Sequence, residues 1–215
     1  MGLTRKVGST EAEQAYTPAN VLRADLFFTT SFPTGVLGLP RNSLFDTDEC
    51  ALTLQAMNRS YGKSGFNVRV REEGKYSRGI KYTLICSVCA TGQIWFRLRR
   101  VNGTTVEAFT SYIQEVVDGL PPAEQGQKNF LWYNLSAHGN DMVLNVVYGA
   151  GHRVIARPPY RPWLGPIEFV FNQLQNELRL RDYAVDNEAQ FVLIIPRILT
   201  NIQGIDATFT HCGYA

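Results

Sequence analysis

Residues 80–90 read IKYTLICSVCA, a nearly continuous apolar run rich in β-branched residues. Successive side chains of a strand point to opposite faces, so a strand of this kind needs cover on both sides. Its length and composition predict a buried strand. A chain of 215 residues with 45% hydrophobic content is large enough to supply that cover from one core.

The flanks extend this reading. Thr91-Gly92 is a hairpin turn, and QIWFRLR returns as a second strand. Upstream, SLFDTDE and ALTLQAM read as two short strands. Asp46 and Asp48 share a face there because they lie two apart. FNVRVRE alternates as a further strand, between polar turns at 59–65 and at GKYSRG. Residues 1–18 are polar and aperiodic, a flexible arm before a domain at 19–215. Residues 19–31 predict a helix before Pro33.

Downstream the period becomes helical. Thr104-x-x-Glu107 has capping-box spacing, and Val106, Phe109, Ile113, Val116 and Val117 form an apolar stripe. NFLWY is a strand. Residues 139–148 predict a helix with Met142, Val143, Val146 and Val147 inward, and RVIA a short strand. A helix starts at Pro166, where a proline in the first turn loses no needed N–H. Ile167, Val170, Phe171, Leu174 and Leu178 face its core side, with Glu168 off that stripe at the positive helix end. From Asp186 the pattern gives two helices, or one kinked at Pro196. The whole is an α/β domain: a mixed sheet, antiparallel meander plus later strands, flanked by helices.

Composition excludes some roles. The formal charge is +2, from 21 basic and 19 acidic residues, so nucleic-acid affinity would have to come from clustering. No apolar run is long enough to span a membrane, and the first residues lack a secretory apolar core, so neither a membrane partner nor secretion is expected. Cys86-Ser-Val-Cys89 has half-zinc-site spacing, but a strand places its two thiols on opposite faces. With Cys50 and Cys212, these read as free thiols.

Three motifs then carry a resemblance. They are Phe45-Asp46-Thr47-Asp48-Glu49, then Tyr133-Asn134-Leu135-Ser136-Ala137-His138, then Pro158-Pro159-Tyr160-Arg161-Pro162-Trp163-Leu164-Gly165-Pro166-Ile167-Glu168. Over residues 20–214, ending in His211-Cys212-Gly213-Tyr214, the chain resembles the catalytic domain of mariner-type DDE transposases. The spacing from position 133 to 168 is that family's. The resemblance implies an RNase H-like fold with parallel strands joining the meander. It also implies DNA as the partner, no small-molecule substrate and scope for a homodimer. A nuclear location follows if the source is eukaryotic, a cytoplasmic one otherwise.

It further implies chemistry. Such domains cut and join DNA with two divalent ions, Mg²⁺ or Mn²⁺, held by carboxylates. Asp48 and Glu168 match two of these ligands. Tyr133 stands where the family has its middle aspartate, and a neutral phenol of pKa about 10 is no substitute. Asp46 and Asp141 are the nearby carboxylates that could compensate. Asn134 and His138 would position metal or DNA. Arg157 and Arg161, with Arg97, Arg99, Arg100, Arg153, Arg179 and Arg181, are candidate phosphate contacts. Trp163 could stack on a base or cover the core. Gly165 replaces the family's usual asparagine, and the residues before Asp48 hold no helix–turn–helix pattern. Two functions follow: a DDE transposase or endonuclease domain impaired by Tyr133, or a domesticated module that binds DNA or protein without catalysis.

Overall fold

The structure, a computed structural model, describes residues 11–57, 65–69, 81–133, 139–181, 185 and 187–214. Five strands form one sheet in the order β3-β2-β1-β4-β5. They are β1 (Leu44–Leu52), β2 (Tyr82–Cys89), β3 (Ile94–Arg99), β4 (Asn129–Trp132) and β5 (Arg153–Ala156). β1 to β3 pair antiparallel, while β4 and β5 add in parallel to β1. The helices are α1 (Pro18–Thr29), α2 (Val106–Asp118), α3 (Asp141–Gly149), α4 (Pro166–Leu180), α5 (Glu188–Leu199) and α6 (Ile205–His211). The expected mixed sheet flanked by helices is what forms.

The buried run is β2, and every residue of it is buried. Leu84, Cys86 and Val88 face a core built with α1, α4, α5 and α6. Ile85 and Cys89 face a second core under α2 and α3. Cys86 and Cys89 thus lie on opposite faces, and all four cysteines are free. On the α2 side the Tyr112 hydroxyl donates to Ser87 Oγ at 2.9 Å, and Ser87 Oγ lies 2.7 Å from Thr47 Oγ1. These buried hydroxyls satisfy one another, which keeps the polar positions from costing the desolvation of an unpaired group.

Several expectations are corrected. One long β1 replaces the two short strands, because its register with β2 runs unbroken from Phe45↔Cys89 to Leu52↔Tyr82. Leu54–Met57 is then a 3₁₀ turn, with Met57 fully buried. Residues 65–69 form no strand and Phe66 is 94% exposed, while 58–64 and 70–80 lie outside the described residues. Met142 faces solvent; Val143 and Val147 carry the inward face of α3. Pro196 does not stop α5. It lies in the last turn, where a proline forfeits one hydrogen bond, and the break comes after Leu199. Residues 11–17 are not a loose arm. Ala15 is fully buried, Glu13–Tyr16 is a 3₁₀ turn, and Thr17 caps α1 by accepting from the Asn20 N–H; residues 1–10 lie outside the described residues.

The α2 cap is one residue later than the capping box placed it. Thr105 Oγ1 accepts from the Ala108 N–H at 3.3 Å. Thr104 Oγ1 is buried without a hydrogen-bond partner. Thr105→Ala is therefore expected to cost about 1 kcal/mol, while Thr104→Ala leaves stability unchanged or raises it. Urea unfolding of both variants checks this, and equal losses would contradict it.

Candidate active site

Strand register assembles the site. Asp46 pairs with Leu131 across the parallel β1–β4 ladder, so two residues further Asp48 comes level with Tyr133. Trp132 pairs with Ala156 across β4–β5, so Arg157 comes level with Tyr133 from the other side. The Arg157 N–H donates to the Trp132 carbonyl at 2.9 Å, extending that ladder. α4 then starts against the strand ends. Its Ile167 N–H donates to Asp46 Oδ2 at 2.9 Å, and Glu168 follows, half-buried. Asp48, Tyr133 and Glu168 thus lie in one neighbourhood, close enough for their charges to act on one another. Asn134 and His138 lie outside the described residues.

The structure corrects the expectation for Arg157. It is not a surface contact for phosphate, because its side chain is 1% exposed. Its guanidinium lies between the two aspartates. Nη2 donates to Asp48 Oδ2 at 2.7 Å and Nη1 to Asp46 Oδ2 at 3.3 Å. Nε sits 3.2 Å from Asp46 Oδ1, near enough for ion pairing but off the hydrogen-bond line. Asp48 Oδ1 accepts the Glu49 N–H at 2.8 Å. One face of the guanidinium packs on the Tyr133 ring, 4.3 Å from its centroid.

Gly165 gives this cation its room. A Cβ built at 165 would lie 1.7 Å from Arg157 Nη1 and 3.0 Å from Cζ. The backbone there, φ −100° and ψ 108°, suits any residue, so the glycine answers to space and not to conformation.

Burial and charge compete throughout the cluster. Burial pushes the Asp46 carboxyl up to about 7, against the pull of Arg157 and the Ile167 N–H. Burial also opposes the charge on Arg157, but Asp46 and Asp48 outweigh it and hold the guanidinium protonated. Burial raises Glu168, as does Asp48, while Arg157 lowers it. Burial raises Tyr133 well above the usual phenol, so it remains a neutral hydroxyl.

The loop between β5 and α4 is pinned over its second half. The Tyr214 hydroxyl donates to the Leu164 carbonyl at 2.9 Å. Arg161 Nη2 donates to the Ala15 carbonyl at 2.9 Å, with its guanidinium over the Tyr16 and Trp163 rings. Tyr160, just before Arg161, has φ +61°, a strained conformation for a non-glycine residue that fixed surroundings can hold. Trp163 does not belong to the core. With Tyr160, Glu168, Phe169 and Asn172 it lines a cleft of about 580 Å³. Several other candidate cations are engaged: Arg97 with Glu115, Arg100 with Glu188, Arg181 with Glu177, and Arg153 over the Phe32 ring.

A divalent ion does not fit these residues. Every carboxylate oxygen of Asp46 and Asp48 already faces a cationic nitrogen or a backbone N–H, and a guanidinium fills the gap between them. Asp141 begins α3 on an exposed position. Among the described residues no group of three or more His, Cys, Asp or Glu is placed to hold a metal. Sequence reasoning missed Arg157 as the partner of the aspartates and Gly165 as the residue that admits it. The available signal was two aspartates on one face of a buried strand, which need a counter-charge.

A family profile described as DDE superfamily endonuclease matches residues 44–189. No curated protein matches significantly. Among solved structures, the mariner Mos1 paired-end complex with Mn is similar at TM-score 0.72 and 16% identity, covering 99% of this chain and 63% of that one. The Mos1 transposase paired-end complex with the left transposon end is similar at 0.69 and 14%, covering 99% and 63%. The isolated catalytic domain of the Mos1 mariner transposase is similar at 0.58 and 13%, covering 98% and 91%. At these identities the likeness is one of fold, and the chain spans less than two thirds of the first two proteins.

Proposed function

The chain belongs to the DDE superfamily of endonucleases, and from that premise we propose that it is a transposase-derived domain that engages DNA without cutting it. The observation that carries this reading is the occupied carboxylate pair: Arg157 holds Asp46 and Asp48, and Tyr133 stands where the family resemblance expects a third carboxylate. Metal-dependent phosphoryl transfer needs anionic oxygens free to bind hard cations on both sides of the scissile bond. Here those oxygens are spoken for. Among the described residues of the site, Glu168 is left to offer a half-exposed carboxylate, which is too few ligands for two ions.

DNA as partner is supported by the kinship with Mos1, whose structure carries a left transposon end. The contact would be modest, since several of the basic side chains are engaged within the fold. Arg153 and Arg161 are half-buried, and each carries an aromatic or backbone partner of its own. With about two phosphate contacts, affinity is expected to fall roughly tenfold between 50 and 200 mM salt. A homodimer, and a nuclear location in a eukaryotic source, belong to the same proposal.

Nicking of supercoiled plasmid in Mg²⁺ or Mn²⁺ tests the reading. No cleavage is expected from the natural chain. Cleavage that disappears in both Asp48→Ala and Glu168→Ala would overturn it. A DNA affinity indifferent to salt would remove the DNA-binding half.

A further inference from the structure

We infer that Arg157 is a resident cation that occupies the carboxylate site permanently, and that Tyr133, Arg157 and Gly165 form one interdependent unit. The inference deepens the non-cleaving reading and rests on it for its meaning. It names what holds the site shut, and it says that no single substitution at position 133 reopens it.

Three observations from separate parts of the chain carry it. The first is charge. A single guanidinium bridges Asp46 and Asp48, with contacts of 3.3 and 2.7 Å. The guanidinium that fills the gap between them is 1% exposed, against 0% for the Asp46 side chain and 11% for that of Asp48. The second is shape above the guanidinium. The Tyr133 ring lies 4.3 Å from Cζ and covers its face, whereas an aspartate there would leave that face open. The third is shape below. With any side chain at 165, a Cβ would sit 1.7 Å from Nη1, so Arg157 can adopt this position only above a glycine. Each residue alone has an ordinary explanation. Together they surround one cation on both sides.

The site is therefore neutralised from within. A guanidinium stays protonated at any working pH and cannot dissociate from the chain, unlike a metal ion. Folding should not depend on divalent cations, and none should enter while Arg157 remains.

Mn²⁺ binding, counted by electron paramagnetic resonance, tests this on the full 215-residue chain. The probe is the metal alone, with no DNA present. The natural chain and Tyr133→Asp are expected to bind no Mn²⁺ that Asp48→Ala removes. The double variant Tyr133→Asp with Arg157→Leu is expected to gain one such ion, at least tenfold tighter than either. Tyr133→Asp binding as tightly as the double variant would overturn the interdependence. A folded double variant that binds no better than the natural chain would also overturn it. Should the double variant not fold, thermal melting of the natural chain decides. Equal midpoints in EDTA and in millimolar Mn²⁺ are expected, and a metal-induced rise abolished by Asp48→Ala would overturn the inference. Plasmid nicking by the natural chain would instead defeat the non-cleaving reading, so the two failures are distinguishable.

Discussion

Arg157→Leu is expected to lower the unfolding free energy by about 3–5 kcal/mol, the usual cost of removing one partner from a buried ion pair. For a domain of this size each kcal/mol is worth about 2–4 °C, so the melting point should fall by roughly 10 °C. The loss is not the value of two hydrogen bonds. It is the penalty of leaving Asp46, which is 0% exposed, and Asp48, which is 8% exposed, without a counter-charge. Removing all three charges together, with Asp46→Asn and Asp48→Asn added, should recover much of the loss, because the unpaired anions are what is costly. The half-exposed pair Arg181–Glu177 is the control. Arg181→Ala should cost less than about 1 kcal/mol. Urea unfolding measures all of these. An Arg157→Leu loss as small as that of Arg181→Ala would mean that the aspartates are compensated by something else.

Gly165→Ala should be strongly destabilising, by about 3 kcal/mol, the upper end of the usual overpacking range. Its sign is what makes it informative. The backbone at 165 lies in a region open to alanine, so conformational entropy alone predicts a gain of about 0.4–1 kcal/mol. Steric conflict with Nη1 at 1.7 Å predicts the loss. In an Arg157→Leu background the conflict with the guanidinium is relieved, leaving the Pro162 carbonyl at 3.2 Å, and the loss from the same substitution should shrink sharply. A loss of equal size in both backgrounds would show that the glycine serves something other than Arg157.

Some of this fold can be read directly from the sequence. The buried strand β2, its hairpin to β3 and the apolar face of α4 are local patterns, and they appear where periodicity puts them. The failures have local causes too. Glu49 and Cys50 look like a strand end, but pairing with β2 carries β1 through them. Thr104 and Thr105 are equally good caps by residue type, and the path of the preceding loop decides between them. Met142 fits a helical stripe, yet α3 packs on a face turned away from it.

The site divides along the same line. Asp48, Tyr133 and Glu168 are legible through the motifs that carry the family resemblance. Arg157 is not. It lies 111 residues from Asp46 and 109 from Asp48, and nothing in its neighbourhood distinguishes a buried arginine from a surface one. Gly165 stands out in sequence as a departure from the motif, but only the position of Nη1 gives that departure a cause. A buried strand carrying two aspartates on one face says that a cation must exist; the register of β4 and β5 says which one.

The most direct measurement is a crystal structure of the natural chain soaked in Mn²⁺, read by anomalous scattering. No ion is expected between Asp48 and Glu168, and the Arg157 guanidinium should still bridge Asp46 and Asp48 beneath the Tyr133 ring. A Mn²⁺ peak ligated by Asp48 and Glu168, with Arg157 displaced, would contradict that expectation.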